Sequence, residues 1–142
     1  MSDISRFFKR NKAVKANTSY VATKSLCDEN GEPLKWEIKP VSSKENEEIQ
    51  ESCMYEVQIP GKPGQFRQKI RTSAYIRKLV AASVVVPELR DAQLQNSYGV
   101  NTPEELVHEM IDDSGEWNNF VQFINDFNGF TSLQEDIDTA KN

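Results

Sequence analysis

The sequence predicts an α+β fold. A small N-terminal antiparallel sheet, built of two hairpins with one short helix, packs with a C-terminal helical region of three to four helices. Three observations lead there. Before residue 72 apolar residues alternate with polar ones, the period-two signature of half-buried strands. After it, apolar residues recur at helical spacing. Clusters of Gly, Pro, Asn and Asp punctuate both halves where turns are needed. At 142 residues the chain is one ordinary domain's worth. The expected division is a mobile arm over 1–18, one α+β domain over 19–130 and a flexible tail over 131–142. Within the domain, 19–71 is mainly β and 72–130 mainly α.

Taken in order, residues 1–18 lack sustained periodicity, with only Ile4, Phe7 and Phe8 at about one helical turn. Tyr20–Leu26 and Leu34–Val41 read as strands around the turn Asp28-Glu29-Asn30-Gly31. Ser42 and Glu45 form a capping-box pattern, so a short acidic helix should run to about Glu51. Met54–Ile59 and Phe66–Arg71 read as a second hairpin across the loop Pro60-Gly61-Lys62-Pro63-Gly64.

Ser73 is then positioned to cap a central helix whose broad apolar face carries Tyr75, Ile76, Leu79, Val80 and Val84, with Pro87 as its end. Thr102-Pro103-Glu104-Glu105 is a strong helix start, because Thr caps, Pro suits the first helical position and Glu105 completes a capping box. Leu106, Val107, Met110 and Ile111 form the stripe of that helix. Ser114 should cap the last helix, stopped by Gly129, in which Trp117, Phe120, Val121, Ile124 and Phe127 align with Phe123 at the edge. Such a stripe serves either as core or, if half covered, as a protein-binding surface.

Composition excludes several classes. Hydrophobic residues make up 37% and charged residues 27%, a globular rather than disordered balance. No apolar run reaches the roughly 20 residues that span a bilayer. The basic N-terminus lacks the apolar core of a secretory signal, so a cytoplasmic protein is expected. Cys27 and Cys53 form no CxxC and read as reduced thiols.

The net charge of −5 is unevenly spread. Residues 1–24 hold six basic side chains against Asp3, and residues 60–90 hold seven against Glu88. Residues 91–142 hold eleven acids against Lys141. Arg67, Lys69, Arg71 and Lys78 form a candidate basic patch. A sequence pI near 5.0 argues against a nucleic-acid-binding domain, which is commonly basic.

Catalytic and metal signatures are weak. His108 is the sole histidine, with Glu104 and Asp112 four residues to either side. That triad mimics a carboxylate–histidine metal site, but no further His or Cys completes a typical transition-metal set, so a solvated acidic face is the preferred reading. Gly61-Lys62 precedes Pro63 rather than the Ser or Thr that opens a helix in a phosphate loop. No cofactor, metal or catalytic residue is assigned, and the chain reads as a binding protein rather than an enzyme. The candidate surface combines Phe7 and Phe8 with Trp117, Phe120, Val121, Phe123, Ile124 and Phe127.

Several segments together resemble the XkdN-like family of phage tail assembly chaperones. They are Trp36-Glu37-Ile38-Lys39-Pro40, the loop at residues 60–64, and Tyr75 ahead of the run 79–85. The stretch Pro87-Glu88-Leu89-Arg90-Asp91-Ala92-Gln93-Leu94-Gln95-Asn96-Ser97-Tyr98-Gly99-Val100 follows. Glu105-Leu106, Met110, Gly115-Glu116 and Asn128-Gly129-Phe130 complete a similarity over about residues 20–130. Arg71 stands where the family often has an acid, and Ser114 where it often has Pro. The resemblance implies a non-enzymatic protein that binds the tape-measure protein, shields it, helps recruit the tail-tube protein and leaves before the virion is finished. A homo-oligomer is compatible with that role. The alternatives are a tail structural or adaptor protein and a small nucleic-acid-binding regulator.

Overall fold

The computed structural model describes residues 3–130. The expectation for the 131–142 tail lies outside the described residues. The order of elements is β1 (Thr18–Tyr20), β2 (Trp36–Ile38), α1 (Ser43–Ser52), β3 (Met54–Gln58), β4 (Phe66–Ile70), α2 (Thr72–Ser83), β5 (Val84–Val86), α3 (Ala92–Ser97), α4 (Pro103–Met110) and α5 (Ser114–Asn128). Two 3-10 turns, Asp3–Phe7 and Lys9–Asn11, precede them. The α+β class is as expected from the sequence.

The first hairpin is shorter than its alternation suggests. β1 and β2 pair antiparallel over three residues each, with Tyr20 opposite Trp36. The ladder resumes only where Leu34 N donates to Leu26 O at 2.8 Å. Between these points the chain turns inward, burying Ala22 and Thr23. There Glu116 of α5 takes over the polar groups: Thr23 Oγ1 donates to its Oε1 at 2.7 Å and Lys24 N to its Oε2 at 2.8 Å. A distant carboxylate thus replaces the strand partner, which local alternation cannot reveal.

The second hairpin forms as expected, with Met54 opposite Ile70 and Gln58 opposite Phe66. Its loop sits on Gly61 and Gly64, both at positive φ. β4 is exposed along its whole length.

The central helix departs from expectation at both ends. Thr72 begins it, Arg71 is the N-cap without a side-chain bond, and Ser73 lies inside the first turn. The helix stops at Ser83, and Val84–Val86 becomes β5 instead of running on to Pro87. β5 pairs with β2, with Ile38 opposite Val84 and Glu37 opposite Val86, giving a three-stranded sheet in the order β1-β2-β5. Three consecutive β-branched residues favour that choice, and the free edge of β2 decides it. α3, too short to show a helical period in the sequence, starts where Asp91 Oδ1 accepts from Leu94 N at 2.8 Å.

Caps elsewhere follow side-chain chemistry. Ser42 and Glu45 make both bonds of a capping box. Thr102 Oγ1 accepts from Glu105 N at 3.2 Å with Pro103 at the start of α4, a single cap bond where the sequence pattern suggests a full capping box. Asp113, not Ser114, caps α5, accepting from Glu116 N at 2.9 Å. Gly129 ends α5 at φ 77°, the left-handed conformation that glycine takes without a Cβ penalty. Ser42→Ala removes the capping hydroxyl and should destabilise the fold by about 1 kcal/mol, read as a lower denaturant midpoint.

One buried cluster draws on both halves of the chain. Trp36 and Ile38 of β2 meet Leu79 and Val80 of α2, Leu106 and Val107 of α4, and Phe120 and Ile124 of α5. Asn128 ties the sheet to the last helix, since its Oδ1 accepts from Val41 N at 2.9 Å. Cys27 is exposed, Cys53 buried, and both are free thiols.

Candidate functional site

The candidate site is a groove where α2, α5 and α1 diverge. α2 packs against α4, α5 and α1. Its apolar face is broader than one neighbour can cover, and part of it is left at the surface. Leu79, Val80 and Ile124 form the floor, while Tyr75, Ile76, Val121 and Phe130 form the walls. Asn46 and Gln50 of α1, with Asn125 of α5 and Thr72, supply uncharged polar groups at the rim. The cavity is about 310 Å³. Tyr75 donates its hydroxyl proton to Asn46 Oδ1, bridging α2 to α1. Burial pushes the Tyr75 hydroxyl above its ordinary value, so it stays a neutral donor at physiological pH. Apolar walls with a few polar groups at the edge suit an apolar side-chain row of a partner better than a charged substrate.

The aromatic stripe of α5 divides between core and surface. Phe120 and Ile124 have no exposed area. Phe120 stacks on Tyr20 at 5.5 Å and meets Trp36 edge-on at 5.8 Å. Phe120 is a core residue, because Tyr20 of β1 and Trp36 of β2 cover it, whereas Ile124, equally buried, forms part of the groove floor. Trp117, Val121, Phe123 and Phe127 are half-buried. Phe123 stacks on Tyr20 at 4.2 Å and on Phe127 at 6.0 Å. Val121 and Ile124 are the stripe members that reach the groove. Phe7 and Phe8 lie apart from the stripe, in the 3-10 turns, with Phe7 83% exposed. The connector behind them is pinned where Lys15 places its ammonium 4.3 Å above the Phe127 ring and donates to the Phe127 carbonyl.

Arg67, Lys69 and Arg71 fall at alternate positions along β4 and just past its end, which puts them on one face of the hairpin. Arg67 and Lys69 alternate with exposed neighbours on β4, and Arg71 lays its guanidinium 4.4 Å above Tyr55. Lys78 reaches from α2 to Ser52 Oγ at 3.1 Å.

The histidine triad spans the end of α4. Asp112 lies beyond the end of α4 at Met110, and His108 packs edge-on against Trp117 at 4.8 Å. Among the described residues no group of three His, Cys, Asp or Glu side chains could hold a metal ion. Burial lowers the His108 pKa from its ordinary 6.5, Arg77 adds to the effect and Glu109 opposes it. The folded imidazole therefore binds its proton less tightly than the unfolded one. Below pH 6.5 the unfolded chain holds more protons, so this contribution is fully present above 6.5 and falls as pH drops toward the folded value. Thermal unfolding at pH 7.5 and 5.5 should show a loss on acidification that His108→Gln reduces.

Sequence reasoning placed Tyr75, Ile76, Leu79 and Val80 on one buried face and missed that the face is only partly covered. It had no signal for Asn46, Gln50, Asn125 or Phe130 as groove residues, since they meet only in three dimensions. The breadth of the apolar face on α2 was the one available hint.

Comparison with known proteins agrees with the fold. The chain matches the family model described as phage XkdN-like tail assembly chaperone protein over residues 4–141. The phage-like element PBSX protein XkdN of Bacillus subtilis (strain 168) is 22% identical over 138 residues, covering 96% of this chain and 92% of that protein. The crystal structure of the protein YqbN superposes with a TM-score of 0.73 at 15% identity, covering 91% of this chain and 98% of that one. With the family model spanning nearly its whole length, the chain belongs to the XkdN-like family of phage tail assembly chaperones.

Proposed function

We propose that the protein binds the tape-measure protein during tail assembly, using the α1–α2–α5 groove as the seat for an amphipathic helix of that client. The observation that supports this reading is an apolar groove, open to the surface, in a protein of a tail assembly chaperone family. A long helical client exposes apolar rows that aggregate unless covered. A groove with apolar walls and amide groups at its rim can take such a row without demanding a charged partner. Val121 walls the seat on the α5 side, and the half-buried Trp117, Phe123 and Phe127, with Phe7 and Phe8 of the arm, are proposed as further client contacts outside it. The chaperone would work in the host cytoplasm, assist the joining of tail-tube protein and leave before the virion is complete. Among the described residues no helix is long and apolar enough to cross a membrane.

Co-expression with the downstream tape-measure protein, followed by pull-down and a check of purified tails, tests the proposal. A soluble complex, with the protein absent from mature tails, is the expected result. Its presence in finished tails would make it a structural or adaptor subunit instead. Failure to form any complex would overturn the client assignment.

A further inference from the structure

We infer that in the absence of a client the basic, apolar N-terminal arm of one copy docks in the α1–α2–α5 groove of a second copy, so that the chain self-associates by arm exchange. This association needs no client and concerns the chain with itself.

The arm ends in three large apolar side chains left in solvent: Ile4 at 62%, Phe7 at 83% and Phe8 at 42% exposure. In a 3-10 turn residues three apart eclipse, so Ile4 and Phe7 stand on one side, with Phe8 next to them. Monomeric proteins rarely present such a cluster unless it meets a partner. The turn is itself ordered by Asn11 Nδ2, which donates to Ser5 O at 2.6 Å, so the cluster is displayed rather than loosely strung.

The groove is its complement in both respects. Its walls are apolar, from Tyr75, Ile76, Val121 and Phe130. Its α1 side is acidic: α1 carries Glu45, Glu47, Glu48 and Glu51 against Lys44. Glu47 and Glu51 follow the rim residues Asn46 and Gln50 by one position, and Asp126 follows Asn125 on the opposite side. The arm carries Arg6, Lys9, Arg10 and Lys12 against Asp3. Glu45 is engaged by Lys39 at 3.1 Å, whereas Glu47, Glu48 and Glu51 stay exposed. The carboxylates that flank the uncharged rim on both sides attract the basic arm.

A second copy, rather than the same one, is the occupant because in the folded chain Ile4, Phe7 and Phe8 stay exposed and none of them lines the chain's own groove. Lys15 holds the connector on the Phe127 end of α5, and beyond it the cluster keeps most of its surface in solvent. Arm and groove are different surfaces, so exchange about a two-fold axis satisfies both and closes a dimer.

The test is sedimentation velocity of the full chain over a concentration series, with NMR of labelled protein titrated with a peptide of residues 3–15. Self-association is expected to weaken at least about tenfold in the double variant Phe7→Asp, Phe8→Asp. Those side chains are exposed, so the variant keeps the fold, and circular dichroism confirms it. Raising ionic strength from about 0.05 M to about 0.5 M should weaken association as well. The peptide should shift methyl signals of Ile76, Leu79 and Val121. A chain that stays monomeric at the highest soluble concentration would overturn the inference. So would association untouched by the Phe7 and Phe8 changes, or peptide shifts that map away from the groove.

Discussion

Phe120→Ala should destabilise the protein by about 3–5 kcal/mol, a large part of the 5–15 kcal/mol that a domain of this size typically has. The ring lies at 0% exposure between Tyr20 and Trp36, at the junction of α5 with the first sheet. Its removal leaves a cavity walled by two aromatic rings and by β2, none of which can collapse without breaking strand pairing. Chemical denaturation should show a lower midpoint with an unchanged slope. A loss below about 1 kcal/mol would mean that the core does not rest on this contact. Client capture by this variant should fail only to the extent that the protein is unfolded.

The groove variant should behave in the opposite way. Ile76→Gln combined with Val121→Glu places polar groups on both walls of the α1–α2–α5 groove, at positions that are only half-buried. Tape-measure capture should fall at least tenfold, about 1.4 kcal/mol or more, with the thermal midpoint lowered by far less than in Phe120→Ala. Titrated pull-down against the client, together with melting curves of the same preparations, separates the two effects. Undiminished capture by a folded variant would remove the groove from the client-binding surface. Under the proposed function the pair of experiments divides the α5 stripe: Phe120 is expected to carry stability, and Val121, one residue along, recognition.

Much of the architecture was legible because it depends on local chemistry. Ser42 and Glu45, Thr102 with Pro103, and Gly129 set helix ends through bonds or dihedrals contained within a few residues. The β3–β4 hairpin was readable for the same reason, since its alternation and its glycine-bearing loop are contiguous. Errors arose where a distant group competed. Val84–Val86 has a helix behind it and reads as its continuation until the edge of β2 offers a partner. Tyr20–Leu26 alternates like a strand, yet Glu116, over ninety positions away in sequence, holds Thr23 and Lys24. Ser114 and Asp113 are both competent caps, and only the folded turn selects Asp113.

The candidate site divides along the same line. By itself the sequence determined that this is an α+β chain with an apolar α2, an aromatic α5 and a basic arm, and its ordered motifs pointed to the tail assembly chaperone family. It could not say which members of the α5 stripe face inward, because helical periodicity gives a face and not the width of what covers it. The tertiary structure decided that β1 and β2 cover Phe120, that α1 stands off from α5, and that Val121 borders the gap between them. Coverage is a property of how neighbouring elements are spaced. That spacing is set by the sum of contacts across the core, which no single segment encodes.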